Sequence, residues 1–208
     1  MGKLADKEIY LVRHGETDYN RRGIIQGRGI NSELNEKGKA QALAFYNFYK
    51  HLPFDYVFAS MLTRTHQTME PFARAGHTLL KYAELDEIDW GMHEGQGGDP
   101  KLAEEYQYLT NRWKEGFLEE KIAGGESPLE LQRRQRDFLD NVLPSFEKTI
   151  LICSHGRAIR SLLCTMLNVP LSKMDDFPHT NLSLYKLNQY GDTFEVVLFN
   201  STEHLKQS

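Results

Sequence analysis

Two short apolar runs, Ile9-Tyr10-Leu11-Val12 and Thr149-Ile150-Leu151-Ile152-Cys153, each end at a histidine followed by glycine. The first leads into Arg13-His14-Gly15-Glu16-Thr17, the second into Ser154-His155-Gly156-Arg157. A continuous apolar run of this kind reads as a strand buried on both faces, as in a parallel sheet covered by helices. Ligands bind at the carboxyl edge of such open sheets, and both histidines fall there. With arginines beside them, these turns describe a pocket for an anion in which one imidazole is free to attack.

The remaining pattern alternates strands and helices. From Glu36 the periodicity is helical, with Ala40, Leu43, Ala44 and Phe48 on one side and Pro53 as a stop. Tyr56-Val57-Phe58-Ala59 reads as a strand, and Ser60 as the N-cap of a helix carrying Arg64, Thr65 and Thr68. Leu79 to Leu85 suggests another strand. Leu102, Tyr106, Leu109, Trp113 and Phe117 fall at helical spacing. Ser127-Pro128 with Glu130 predicts a capping box for a helix burying Leu131, Phe138, Leu139 and Val142. The helix after His155 is expected to bury Ile159, Leu162, Leu163, Met166 and Leu167. Leu182 to Leu187 and Phe194 to Phe199 predict a closing hairpin turned by residues 188–192. The expected architecture is an α/β fold, a three-layer α/β/α sandwich around a mostly parallel central sheet. Residues 1–208 read as a single domain, with 90–125 as a small helical lid insertion over the carboxyl edge.

Composition limits the classes of function. Hydrophobic residues make up 40% and aromatics 11%, enough for a core and against disorder. No apolar run is long enough for a membrane span, the first residues lack the apolar stretch of a signal peptide, and Asp6 stands where a myristoylation site wants Ser or Thr. Cys153 and Cys164, the two cysteines, read as small buried hydrophobes of a reducing compartment, so the cytoplasm is expected. A formal net charge of −4 does not favour a nucleic-acid surface. The expected partner is a small phosphorylated metabolite, with oligomeric state open.

Phosphoryl transfer needs donors on the peripheral oxygens and a nucleophile in line with the leaving oxygen. Arg13 and Arg64 supply planar forks of N–H groups that match two oxygens at once. His14 and His155 offer neutral ring nitrogens at physiological pH. Glu87, after a short strand and before a Gly-rich turn, is the candidate to protonate the leaving alkoxide. Asn20 is a candidate donor to substrate, as is Gln26. His66, His77 and His179 read as ordinary polar residues, and Trp90, Trp113, Tyr106 and Tyr108 as lid packing. A cysteine phosphatase would need Cys-x5-Arg, but Ile159 occupies that position from Cys153. No zinc-protease, Asp-x-Asp or P-loop motif is present. A noncatalytic phospho-ligand module remains an alternative, although it would not need both histidines and Glu87.

Taken in order, these segments resemble the histidine phosphatase superfamily, the phosphoglycerate mutase-like enzymes. The resemblance runs from Leu11-Val12-Arg13-His14-Gly15-Glu16-Thr17 and Asn20 through Gln26-Gly27, Leu34-Asn35-Glu36-Lys37-Gly38 and Gln41-Ala42. It continues with Ser60 to Thr68, Leu85 to Gly91 with Glu94-Gly95, Gly124-Gly125-Glu126-Ser127 and Ser154-His155-Gly156. It implies that His14 becomes a phosphohistidine, with the Gly15 carbonyl a candidate to hold its other nitrogen. It further implies that Arg13, Arg64 and His155 surround the phosphoryl group, that Glu87 is acid and then base, and that no metal or nucleotide cofactor is required. Asn20, Gln26 and Gly27 fall with Arg13, Arg64 and His155 in the substrate-binding set. The short span between the Arg64 and His155 segments resembles the small phosphatase branch, with a cofactor-dependent phosphoglycerate mutase as the alternative. His93 and Glu33 depart from the family pattern. Arg21 and Arg28 are candidates to meet a second acidic group on the substrate, or are ordinary surface cations.

Overall fold

The computed structural model describes residues 4–146 and 148–206. Four parallel strands form one side of the sheet: β1 (Lys7–Arg13), β2 (Tyr56–Ala59), β3 (Leu79–Lys81) and β4 (Thr149–Ser154). The hairpin β5 (Leu184–Tyr190) and β6 (Thr193–Ser201) completes the order β3-β2-β4-β1-β5-β6, with β5 antiparallel to β1. β1 and β4 lie side by side, pairing Val12 with Cys153 and Arg13 with Ser154. The two His-Gly turns therefore leave the sheet at adjacent points.

The strand side chains alternate between two cores, as the period of a strand requires. Ile9, Leu11, Ile150 and Ile152 face one layer, where α6 (Gly156–Met166) contributes Ile159, Leu162 and Leu163. Tyr10, Val12, Leu151 and Cys153 face the other, against Phe45 and Tyr49 of α2 (Glu36–Tyr49) and Met69 and Phe72 of α3 (Thr63–Arg74). Each such aliphatic or aromatic side chain contributes about 1.5–3 kcal/mol by leaving water. The result is the expected three-layer sandwich. α1 (Asp18–Arg21) is a single turn after β1, closed by a Thr17 capping box.

A third cluster covers one end of the sheet. Trp90 stacks on Trp113 of α4 (Pro100–Lys114) at 5.6 Å and 29°, and both pack with Ile88, Leu109, Leu131 and Ala158. Leu131 belongs to α5 (Pro128–Asp137), which begins with the anticipated Ser127–Glu130 capping box. Phe117 lies beyond the end of α4 and is exposed.

Several local expectations are corrected. α2 buries Gly38, Ala42, Phe45 and Tyr49, whereas Leu43 is exposed and Ala40 lies on the outer side. The cause is backbone contact: a Cβ on Gly15 would stand 2.7 Å from the Gly38 carbonyl, and one on Gly38 would stand 2.1 Å from that of Glu16. This contact seats the helix on the first His-Gly turn and sets its rotation. Ser60 does not cap α3; Leu62 is the cap residue, and the Ser60 hydroxyl turns inward. β3 stops at Lys81, with a 3-10 turn over Ala83–Leu85. Beyond α5 the chain continues as a π-turn over Phe138–Val142, where Phe138 is buried and Leu139 and Val142 are half-buried. The hairpin turns on Gly191-Asp192, because Asn188 to Tyr190 continue pairing with β6.

Candidate active site

His14 follows the last residue of β1, and its peptide N–H donates to the Ser154 carbonyl at the end of β4. His155 is the N-cap residue of α6. The two rings meet with centroids 5.1 Å apart at an angle of 57°. Gly15 is tied down by donating its N–H to Thr68 Oγ1, which itself donates to the Arg64 carbonyl.

Ring tautomers follow from the partners. His14 Nδ1 donates to the Gly15 carbonyl at 2.7 Å, leaving Nε2 with its lone pair. His155 Nδ1 accepts from Arg64 Nε at 3.1 Å, so its proton sits on Nε2, 2.8 Å from Ser60 Oγ. Burial, then the Arg64 and Arg13 guanidiniums, hold His14 well below the usual histidine range. Burial and Arg64 do the same for His155.

Arg64 is fully buried and fixed by three acceptors: His155 Nδ1, the Ile30 carbonyl and the Gly27 carbonyl. Burial lowers its pKa to about 10, which still leaves a cation at neutral pH. Arg13 donates toward His179 Nδ1 at 3.2 Å, and its buried Nε has no protein partner.

Glu87 reaches the same space from the segment after β3. Its Oε1 accepts from the N–H groups of Ile88 and Ala158, and its Oε2 from that of Arg157, so it sits at the positive end of α6. Arg134 braces this segment from below. It forks onto both Glu126 oxygens and donates to the carbonyls of Ala83, Glu84, Asp86 and Glu87.

Arg13, His14, Asn20, Gln26, Arg64, Glu87, Gly156, Arg157 and His179 line one cavity of about 210 Å³, roofed by Trp90 and Tyr106. His155 lies directly behind its wall with no exposed surface. Asn20 uses its Oδ1 to accept from Thr17 N and Asn181 Nδ2, leaving its own NH2 as the donor. Gln26 is committed at both ends, to Thr17 and Ser32. Gly27 does not line the cavity; its contribution is the carbonyl that holds Arg64. Arg21 and Arg28 are not at the cavity either. Arg21 pairs with Asp18 on the surface, and Arg28 with Asp86 at 3.6 Å. Among the described residues no group of three or more His, Cys, Asp or Glu side chains is arranged to hold a metal ion.

Among the lining residues not anticipated as such, His179, Arg157 and Tyr106 are polar. His179 presses on Gly156, where a Cβ would meet its ring at 2.7 Å, and burial drives its pKa down to about 2. Arg157 and Tyr106 join across the cavity by a 2.9 Å hydrogen bond. The signal for His179 lay in strand direction: β5 runs antiparallel to β1, so the residues before β5 return to the His14 edge.

A solved mycobacterial glucosyl-3-phosphoglycerate phosphatase has the same fold, with a TM-score of 0.84 and 22% identity over 94% of this chain and all of its own. The sequence model of the histidine phosphatase superfamily (branch 1) matches residues 9–202. The chain belongs to this superfamily. Phosphoserine phosphatase 1 of Hydrogenobacter thermophilus is 30% identical over 95% of this chain and 94% of its own length. A probable phosphoglycerate mutase of Escherichia fergusonii is 36% identical over 78% of this chain and 76% of its own. This superfamily member thus has relatives named for hydrolysis and for mutase chemistry.

Proposed function

We propose that the protein hydrolyses a small phosphomonoester through a phosphohistidine on His14. The observation that carries this reading is the Nδ1–H bond from His14 to the Gly15 carbonyl, which leaves Nε2 unprotonated beside two arginines. Nε2 attacks phosphorus and the ester P–O bond breaks. Arg13, Arg64 and the Asn20 amide take the peripheral oxygens, with His155 holding Arg64 in place. Glu87 gives its proton to the departing alkoxide. Its Oε2 accepts one N–H where Oε1 accepts two, so Oε2 is the oxygen with room for that proton. The carboxylate then takes a proton from water, whose oxygen attacks phosphorus as the P–N bond breaks. Inorganic phosphate leaves, and His14 and Glu87 return to their starting states.

End-to-end coverage of the phosphoserine phosphatase relative supports hydrolysis over mutase chemistry, since the match to the mutase relative spans a smaller part of both chains. Residues 90–125 act, in this reading, as a lid on a single domain. No helix among the described residues is long and apolar enough to cross a membrane. Two free, buried cysteines support a cytoplasmic setting.

The test is phosphate release across a panel of phosphorylated metabolites that includes 3-phosphoglycerate, with parallel detection of 2-phosphoglycerate. Release without isomerisation is expected. Dominant isomerisation would identify a mutase, and the absence of both activities would identify a phospho-ligand binding module.

A further inference from the structure

His179 lines the cavity, yet it neither attacks phosphorus nor brings charge to it. Its Nδ1 faces Arg13 Nη1 at 3.2 Å. A guanidinium can only donate, so Nδ1 accepts and the ring proton lies on Nε2. Among the described residues this is the one protein acceptor bonded to the Arg13 guanidinium, whose buried Nε has none. Arg64 has three. The aim of Arg13 therefore rests on a single imidazole. In one respect the two phosphoryl arginines are held alike, since Arg64 Nε donates to His155 Nδ1 at 3.1 Å.

The loop that carries His179 is bonded to the end of β1 through both peptide groups flanking Arg13. The Arg13 N–H donates to the Ser183 carbonyl, and the Arg13 carbonyl accepts from the Leu182 N–H. Asn181 Nδ2 donates to the His14 carbonyl at 3.0 Å. Leu182 is fully buried and lies in the left-handed region at φ 57°. A leucine holds that strained conformation only where the surrounding structure imposes it. Within the loop, the Tyr185 hydroxyl donates to the Pro178 carbonyl and the Thr180 N–H to Ser183 Oγ. On its other side the ring occupies the space beside Gly156, where a Cβ would stand 2.7 Å from its Cε1 and Nε2. The imidazole is thus held at a fixed place relative to Arg13.

The charge of this acceptor matters as much as its place. A carboxylate would hold Arg13 as firmly, but it would cancel the positive charge that a transferring phosphoryl group needs. Burial, then the guanidiniums of Arg13, Arg160 and Arg157, bring the His179 pKa down to about 2, so the acceptor is neutral. We propose that His179 is a positioning residue of the phosphoryl site, a neutral acceptor that aims Arg13 at the phosphoryl oxygens without cancelling its charge. This rests on the phosphatase reading above and extends the machinery of that site to the loop before β5.

The test compares His179→Asn, His179→Asp and His179→Leu by kcat/KM on 4-nitrophenyl phosphate and by calorimetric affinity for orthovanadate. Asn places a neutral oxygen where Nδ1 stands, Asp places a charged one of the same size, and Leu removes the acceptor. His179→Leu should lose roughly ten- to a hundredfold in kcat/KM and about tenfold in orthovanadate affinity, the scale of a misaimed charge-assisted contact. His179→Asn should stay within about threefold of the unaltered protein in both, since the hydrogen bond is kept. His179→Asp should bind orthovanadate at least about tenfold more weakly than His179→Asn. Equal affinities in Asn and Asp, an unimpaired His179→Leu, or an Asn variant as poor as Leu overturns the proposal and leaves the phosphatase reading intact. A packing role alone would lower Asn and Asp together, so their ratio decides even where His179→Leu does not fold. Should none of the variants fold, nitrogen-15 spectra of the unaltered protein decide: a neutral Nε2–H ring at His179 is expected, and an imidazolium or an Nδ1–H ring overturns the proposal. Orthovanadate affinities that follow the predicted series without turnover of any phosphomonoester overturn hydrolysis and keep the role of His179. An unaltered protein that neither turns over nor binds orthovanadate overturns both.

Discussion

At His14 the chemistry depends on which nitrogen carries the proton. Burial and the two nearby guanidiniums oppose protonation of Nε2, while the bond to the Gly15 carbonyl keeps the ring's one proton on Nδ1, so the nucleophile stays neutral well below the usual histidine range. Nitrogen-15 spectra at about pH 5.5, below the ordinary histidine range, should show His14 as the neutral Nδ1–H form and His155 as the neutral Nε2–H form. Imidazolium signals from either ring would contradict these assignments. Glu87 makes a second prediction at this scale. Glu87→Gln should lower kcat for alkyl phosphates by roughly 10²–10⁴-fold, the range of general acid catalysis, and barely affect aryl phosphates. Equal losses on both would remove Glu87 from the acid role.

Among elements, the critical joint is the one that brings the 83–87 segment under the start of α6. Arg134 organises it by gathering four carbonyls and one carboxylate. Arg134→Met should reduce kcat by about a hundredfold through misplacement of Glu87, with KM changed far less. The loss should be larger on alkyl than on aryl phosphates, whereas general unfolding would lower both equally. This joint was hard to read in advance, because carbonyl acceptors leave no mark in a sequence. The strands β1 and β4 were legible, since burial on both faces demands continuous apolar runs. The rotation of α2 was not, because a Gly15–Gly38 backbone contact overrode the weak periodicity of Ala40 and Leu43. His179 escaped notice because its place depends on an antiparallel strand joining β1 from the far end of the chain.

For the whole molecule, burial of neutral imidazoles couples stability to pH. His14, His155 and His179, and His204 with a pKa near 4, are all depressed in the folded state. The unfolded chain therefore binds more protons below about pH 6.5, and stability falls as pH drops through that value toward the folded pKa values. Denaturant midpoints measured from pH 7.5 to 5 should decline steadily below about 6.5 and stay flat above it with respect to these groups. A curve flat down to pH 5 would contradict burial of the neutral rings. The same burial joins the two halves of the site, since β1 and β4 bring His14 and His155 together from distant parts of the chain. The central claim, covalent transfer to His14, is tested most directly by quenching the enzyme in alkaline denaturant during turnover of a good phosphomonoester and locating the phosphate by mass spectrometry. The account predicts phosphate on His14; a protein that turns over yet carries no phosphate there under any trapping condition would contradict it.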